Sequence, residues 1–139
     1  MTSFHPYLFL PGTCREAFTR YQEVFGGDLE VLTSADMPPE ERMPGASSDA
    51  VMHAALVIGD GLLMGSDDPE ATDARPTAGI SVNVELESVE ATRAAFGALA
   101  EGGQVVAPLD AVSFSPAFGM LVDRFGVSWL LTTAAEPAG

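Results

Sequence analysis

Residues 13–27, TCREAFTRYQEVFGG, decide how the chain folds, because they encode one complete helix with its start and its stop. Thr13 stands three residues before Glu16, which is the spacing of a capping box at the start of a helix. Apolar side chains then recur at three- and four-residue intervals up to Phe25, which predicts an amphipathic helix with one buried stripe. Gly26 and Gly27 end this helix, because glycine adopts left-handed backbone conformations without a steric penalty.

The same plan appears a second time at residues 88–103, SVEATRAAFGALAEGG, with offsets of 75 residues between the caps and 76 between the glycine stops. Short runs rich in β-forming residues flank each helix. In the first half they lie at residues 7–10, 29–32, 51–58 and 62–66, and in the second half at 80–84, 104–106, 117–122 and 127–133. The chain therefore predicts the element order β-α-β-β-β twice, as an internal duplication.

The length of 139 residues fits one domain. We expect the first module at residues 4–67, a polar linker at 68–78 and the second module at 79–134. The Pro-rich stretch from Ala35 to Ala50 has no periodicity, and we interpret it as a loop that is either a functional lid or a mobile connection.

The charge balance is strongly acidic, with 20 Asp and Glu against 6 basic residues and a net charge of −14. Nucleic acids and anionic membranes bind through basic side chains, so both are excluded as partners. The acidic surface indicates either simple solubility or attraction of a cationic ligand. The single cysteine, Cys14, excludes an intrachain disulfide and lies on the buried stripe of the first helix. Without a signal peptide or a long apolar run, the pattern is typical of a bacterial cytoplasmic protein.

Short motifs spread over nearly the whole chain resemble the vicinal oxygen chelate superfamily, which includes glyoxalase I, extradiol dioxygenases and bleomycin-resistance proteins. The most similar part of it is the PhnB-like branch, often labelled demethylubiquinone-methyltransferase-like. The motifs are PYLF at 6–9, CREA at 14–17, VFGG at 24–27, DMP at 36–38, MHA at 52–54, LMGSD at 63–67, FGM at 118–120 and DRFGVSW at 123–129. The resemblance implies an α+β fold in which two βαβββ modules form a cup-shaped mixed sheet around one cleft, and it implies a homodimer.

Metal-using members of this superfamily hold a divalent ion with four His, Glu or Gln side chains, and the ion polarises two adjacent oxygens of the substrate. The resemblance places these four positions at His5 or Pro6, at Gly65 or Ser66, at Gly79 and at Leu130. At most one of these residues is a metal ligand, whereas a catalytic ion normally keeps three protein ligands. We therefore expect no metal at the usual site and no other cofactor; the alternative is a displaced site that uses His5 or His53.

Strand alternation indicates which side chains line the cleft. If Gly79 points inward, so do Ser81 and Asn83, while Ile80 and Val82 pack against the helices. The same rule directs Ser128 and Leu130 inward and Trp129 into the core. The candidate cleft residues are His53, Ser66, Ser81, Asn83, Phe114, Phe118, Ser128 and Leu130.

Several of these residues also fit structural roles. His53 fits a hydrogen-bonded structural histidine as well as an acid–base or ligand-contact role, because its pKa suits either. Ser66 fits a turn residue, and Phe114 and Phe118 fit the core as well as apolar walls of the cleft.

These observations favour a protein that binds a small molecule in the cleft. They do not decide whether it also has an enzymatic activity. The alternative is a metal-dependent lyase, isomerase or dioxygenase-type enzyme with a displaced metal site. A methyltransferase is the weakest interpretation, since no glycine-rich nucleotide loop followed by an acidic residue is present.

Overall fold

The computed structural model describes residues 2–42, 47–68 and 79–134, which divide between two compact units, Met1–Ala74 and Arg75–Gly139. The first unit contains β1 (Tyr7–Leu10), α1 (Cys14–Phe25), β2 (Asp28–Thr33), β3 (Val51–Ile58) and β4 (Gly61–Asp67). The second unit contains β5 (Val82–Leu86), α2 (Val89–Ala100), β6 (Gln104–Val112), β7 (Ser115–Val122) and β8 (Ser128–Thr133). The predicted α+β class with two βαβββ modules is confirmed.

Each unit forms one four-stranded mixed sheet with the same topology. The strand order is β1-β4-β3-β2 in the first sheet and β5-β8-β7-β6 in the second. The first strand of each unit pairs in parallel with the last one, and the remaining pairs are antiparallel. Identical topology in the two units agrees with an internal duplication.

The core of the first unit lies between α1 and one face of its sheet. Cys14, Phe18 and Tyr21 are fully buried there, which confirms the predicted stripe. Gly65 on β4 lies beneath Phe18, and a Cβ atom built at this glycine would lie 2.8 Å from Cε1 of the ring. A larger residue at this position would push helix and sheet apart.

The start of α1 differs from the predicted capping box. The Thr13 side chain makes no capping hydrogen bond, and its buried Oγ1 has no partner among the described residues. Instead the backbone N–H of Cys14 donates to Oδ1 of Asp67 at 2.9 Å, and the N–H of Val51 donates to Oδ2 at 2.9 Å. A carboxylate is a stronger acceptor than a threonine hydroxyl. The Asp67 carboxylate at the end of β4 therefore caps the N-terminus of α1 and also holds the start of β3.

The second unit follows the sequence expectation more closely at its helix. Oγ of Ser88 accepts a hydrogen bond from the N–H of Ala91 at 3.1 Å, so this residue caps α2 as predicted. Trp129 is 2% exposed, which confirms its predicted place in the core.

The structure changes two further predictions, and a third lies mostly outside the described residues. Strand β5 begins at Val82 rather than at residue 80, because its pairing with β8 begins at that residue, and Ile80 is therefore 70% exposed instead of packing on the helix. The loop at 35–50 contains two short 3-10 turns, Ser34–Asp36 and Pro39–Glu41. The predicted linker lies, except for Asp68, outside the described residues.

Within the part of the chain that the structure describes, neither helix has the length and apolar character needed to cross a membrane.

Candidate functional site

Each sheet has one face covered by its helix and an opposite face, called here the open face. In the first unit Gly65 contacts Phe18 of α1, so its neighbour Ser66 belongs to the open face. Strand register then assigns the remaining residues of this face. The open face of the first sheet consists of Tyr7, Phe9, Asp28, Glu30, Leu32, His53, Ala55, Val57, Leu62, Met64 and Ser66.

A hydrogen-bonded Tyr–His pair lies on this face. The Tyr7 hydroxyl is 3.2 Å from Nδ1 of His53, and the two ring centroids are 5.8 Å apart. Phe9 extends the cluster, since its ring centroid lies 5.1 Å from that of Tyr7. Ser66 is opposite Phe9 in the parallel ladder and is only 8% exposed. The cluster brings two predicted site residues, His53 and Ser66, onto one surface with two aromatic rings.

The open face of the second sheet mixes apolar and polar side chains. On β7 and β8 the buried residues alternate with half-buried ones, and the half-buried ones point away from α2. Together with β5, register gives the set Asn83, Glu85, Phe118, Met120, Val122, Ser128, Leu130 and Thr132. Asn83, Ser128 and Leu130 were expected on this surface, and the structure brings them together, with Leu130 as the ladder neighbour of Asn83.

A cavity of about 400 Å³ lies at one end of the second sheet. Two hydroxyl-bearing residues of the sequence prediction, Ser81 and Ser128, line it together with Met120 and Val106. Ser81 precedes β5 and reaches the cavity although it is outside the strand. The cavity is therefore mainly apolar, with a small number of hydrogen-bonding groups.

Phe114 and Phe118 have different positions. Phe118 is half-buried on the open face, whereas Phe114 lies in the turn between β6 and β7 and is 66% exposed. Their rings meet edge to face, with centroids 5.1 Å apart. The pair extends the apolar part of the second open face toward the β6–β7 turn.

Sequence reasoning missed Tyr7, Phe9 and Glu85. Alternation along residues 7–10 assigns Tyr7 and Phe9 to one face and Leu8 and Leu10 to the other, and this signal was available. The contact of Tyr7 with His53 joins residues 46 positions apart, which no local pattern reveals.

The residues that the sequence resemblance places at the metal positions do not fit a metal ion. Ser66, rather than Gly65, takes the open-face position on β4, and Leu130 takes the one on β8. Gly79 has no side chain, and the exposed His5 contacts Oγ of Ser3 at 3.0 Å. Among the described residues, no three His, Cys, Asp or Glu side chains are grouped closely enough to hold a metal ion.

Cys14 lies on the helix side of the first sheet and is fully buried. Burial raises the pKa of its thiol to about 12, and the nearby Asp67 carboxylate adds to the rise. Only a thiolate is an effective nucleophile, and a thiol with this raised pKa keeps its proton at neutral pH. We therefore interpret Cys14 as a core residue and not as a catalytic one.

Comparison with known proteins supports one family along most of the chain. Residues 2–132 match the family model described as 3-demethylubiquinone-9 3-methyltransferase. The crystal structure of protein PA1353 from Pseudomonas aeruginosa is 39% identical with a TM-score of 0.85, and the match covers 96% of this chain and 98% of that one. A Bacillus cereus protein described as a putative 3-demethylubiquinone-9 3-methyltransferase, PhnB protein, is 29% identical with a TM-score of 0.72, covering 96% of this chain and 100% of that one.

A more distant structure shows the fold alone. A glyoxalase/bleomycin resistance protein/dioxygenase family enzyme from Burkholderia phytofirmans PsJN is 13% identical, with a TM-score of 0.61 over 94% of this chain and 97% of that one. The duplicated βαβββ units and the family match agree. The chain belongs to the PhnB-like family described as 3-demethylubiquinone-9 3-methyltransferase, and it has the fold of the glyoxalase/bleomycin resistance protein/dioxygenase structure.

Proposed function

We propose that this protein binds a small organic molecule on the open face of its second sheet, without a metal ion at the positions that the superfamily uses. The proposal rests on the cavity of about 400 Å³, which is lined by both Ser81 and Ser128. Small-molecule sites have volumes of roughly 300–1,000 Å³ and combine apolar walls with a few polar groups.

The side chains around the cavity favour a ligand with an apolar body and few hydrogen-bonding groups. Met120 and Val122 provide half-buried apolar surface, and burying such surface contributes about 25 cal/mol per Å². The hydroxyls of Ser81 and Ser128 provide donors and acceptors that orient the ligand.

Charge restricts the ligand further. Glu85 lies on the same open face, and the chain carries a net charge of −14. A field of this sign attracts cations and repels anions, so the proposed ligand is neutral or cationic.

A thermal-shift screen tests this function. The panel contains cationic glycopeptides of the bleomycin type, alkyl and aryl amines, and neutral heterocycles. The wild-type protein is compared with Ser81→Tyr, which fills the cavity, and with Ser113→Tyr, which places the same side chain at an exposed position in the β6–β7 turn.

We expect at least one compound to raise the melting temperature of the wild type and of Ser113→Tyr, and to leave Ser81→Tyr unchanged. The proposal fails if no compound stabilises the wild type, or if Ser81→Tyr responds as the wild type does.

The proposal includes a homodimer in the cytoplasm, which the family resemblance supports. The chain mass is 14.5 kDa, so sedimentation velocity should give a species of about twice that mass. A monomer at micromolar concentration would contradict the dimer and leave the cavity proposal to its own test.

A further inference from the structure

The open face of the first sheet carries exposed aromatic surface that the proposed function does not use. Phe9 is 68% exposed and Tyr7 is 37% exposed, although both belong to β1. Their rings are in contact, with a tilt of 43° between the ring planes. Contiguous exposed aromatic surface of this kind marks ligand or partner sites.

The Tyr7–His53 hydrogen bond determines which nitrogen of the imidazole faces outward as a donor. A phenol O–H is a better donor than acceptor, and an unprotonated imidazole nitrogen is a strong acceptor. We therefore assign Tyr7 as the donor to Nδ1 of His53, an assignment that places the ring proton of the neutral imidazole on Nε2. Nε2–H is then a fixed donor beside the aromatic surface.

The charge of this face limits which ligands can accept a hydrogen bond from this N–H group. None of the open-face residues of the first sheet is an arginine, and the chain contains six basic residues in total. Glu30 lies on the same face, one diagonal step in the ladder from His53. A carboxylate or phosphate ligand would therefore be repelled, whereas a neutral oxygen acceptor is compatible with the surface.

We propose that the first unit binds a neutral planar aromatic molecule that carries a carbonyl or phenolic oxygen. The ring packs against Phe9 and Tyr7, where offset or edge-to-face contacts add to apolar burial. The oxygen accepts a hydrogen bond from Nε2–H of His53. The residues of this site belong to the first unit, whereas those of the proposed cavity belong to the second unit.

A matched pair of probes separates the two contributions. 1-Indanone has an aromatic ring and a ketone, and indane has the same skeleton without the oxygen. Binding to the wild type is followed by ligand saturation-transfer NMR, with dissociation constants from titration. We expect 1-indanone to bind the wild type about three- to tenfold more tightly than indane, which is the usual net effect of one hydrogen bond.

Three substitutions and one control variant assign the contacts. His53→Phe keeps an aromatic ring but removes the donor, so the preference for 1-indanone should disappear while indane binding stays. Tyr7→Phe keeps the ring and frees the tautomer, which should reduce the preference by about two- to threefold. Phe9→Ala should weaken both probes, and Phe114→Ala, at an exposed ring of the second unit, should weaken neither.

The outcomes distinguish this inference from the proposed function. The inference is overturned if neither probe binds the wild type, if His53→Phe retains the preference for 1-indanone, or if Phe114→Ala and Phe9→Ala behave alike. Ser81→Tyr blocks the second-unit cavity and should leave 1-indanone binding unchanged. A loss of binding in that variant would assign the probe to the second unit and would also overturn the inference.

Discussion

The indole N–H of Trp129 donates to Oδ2 of Asp123 at 2.8 Å inside the second unit. The same carboxylate accepts two backbone N–H groups through Oδ1, from Phe125 at 2.9 Å and from Val127 at 3.0 Å. Asp123 is 5% exposed, so its negative charge depends on these donors for solvation. One side chain thus shapes the β7–β8 turn and fixes the ring behind Ser128 and Leu130.

Asp123→Asn should lower the free energy of unfolding by about 2–4 kcal/mol, because an amide offers one acceptor oxygen where the carboxylate offers two. Trp129→Phe keeps an aromatic ring and should lower it less, by about 1–3 kcal/mol. Urea denaturation followed by circular dichroism measures both. Asp28→Asn, at an exposed position of β2, is the control, and an equal loss in that variant would contradict the role of Asp123.

Asp67 should have a comparable role in the first unit, since it accepts the N–H groups of both Cys14 and Val51. Asp67→Ala leaves both donors without this acceptor and should cost about 2–4 kcal/mol. Asp67→Asn retains one acceptor oxygen and should cost about half as much. Asp60→Asn, in the exposed β3–β4 turn, should change stability by less than about 0.5 kcal/mol.

How far the sequence predicts this fold is clear from Thr13 and Asp67. Periodicity located α1 correctly because the stripe, the stop and the start are all local signals. The predicted capping residue, Thr13, was wrong because the acceptor at the start of α1 is Asp67, which lies 53 residues from Cys14 in the chain. Strand alternation is also a local signal, and it assigned Asn83, Ser128 and Leu130 to one surface. The Tyr7–His53 pair could not be predicted in this way, because it depends on the parallel pairing of β4 with β1.

Two glycines should respond in opposite directions to alanine. Gly65→Ala places a methyl group 2.8 Å from the carbonyl oxygen of Leu8 and 2.8 Å from the Phe18 ring, and should destabilise the protein by about 1–3 kcal/mol. Gly97 lies within α2, and a Cβ atom there would have no atom within 4 Å. Gly97→Ala should therefore stabilise the protein by about 0.5–1 kcal/mol through helix propensity. Equal effects at the two positions in thermal denaturation would contradict the packing of Gly65 beneath Phe18.

Stability should fall in alkali partly because of Cys14. Its pKa is raised from 9.0 to about 12 in the folded protein, so between these two values the unfolded chain loses the thiol proton first. Stability then decreases as pH rises from about 9 to about 12, and at pH 10 the loss from this group is about 1.4 kcal/mol.

Urea denaturation of the wild type and Cys14→Ala at pH 8 and pH 10 measures this contribution. The variant is expected to be less stable at both values, but its decrease between them should be smaller by about 1.4 kcal/mol. Identical decreases in the two proteins would show that the buried thiol is not the group responsible.

The chain contains one cysteine and one tryptophan, which lie in different units and are both buried. Each half thus carries its own natural reporter of unfolding. Thiol labelling measures how often α1 separates from the first sheet, and indole emission measures when the second sheet loses its core. The same unmodified molecule can therefore show whether the two βαβββ units unfold separately or as a single cooperative unit.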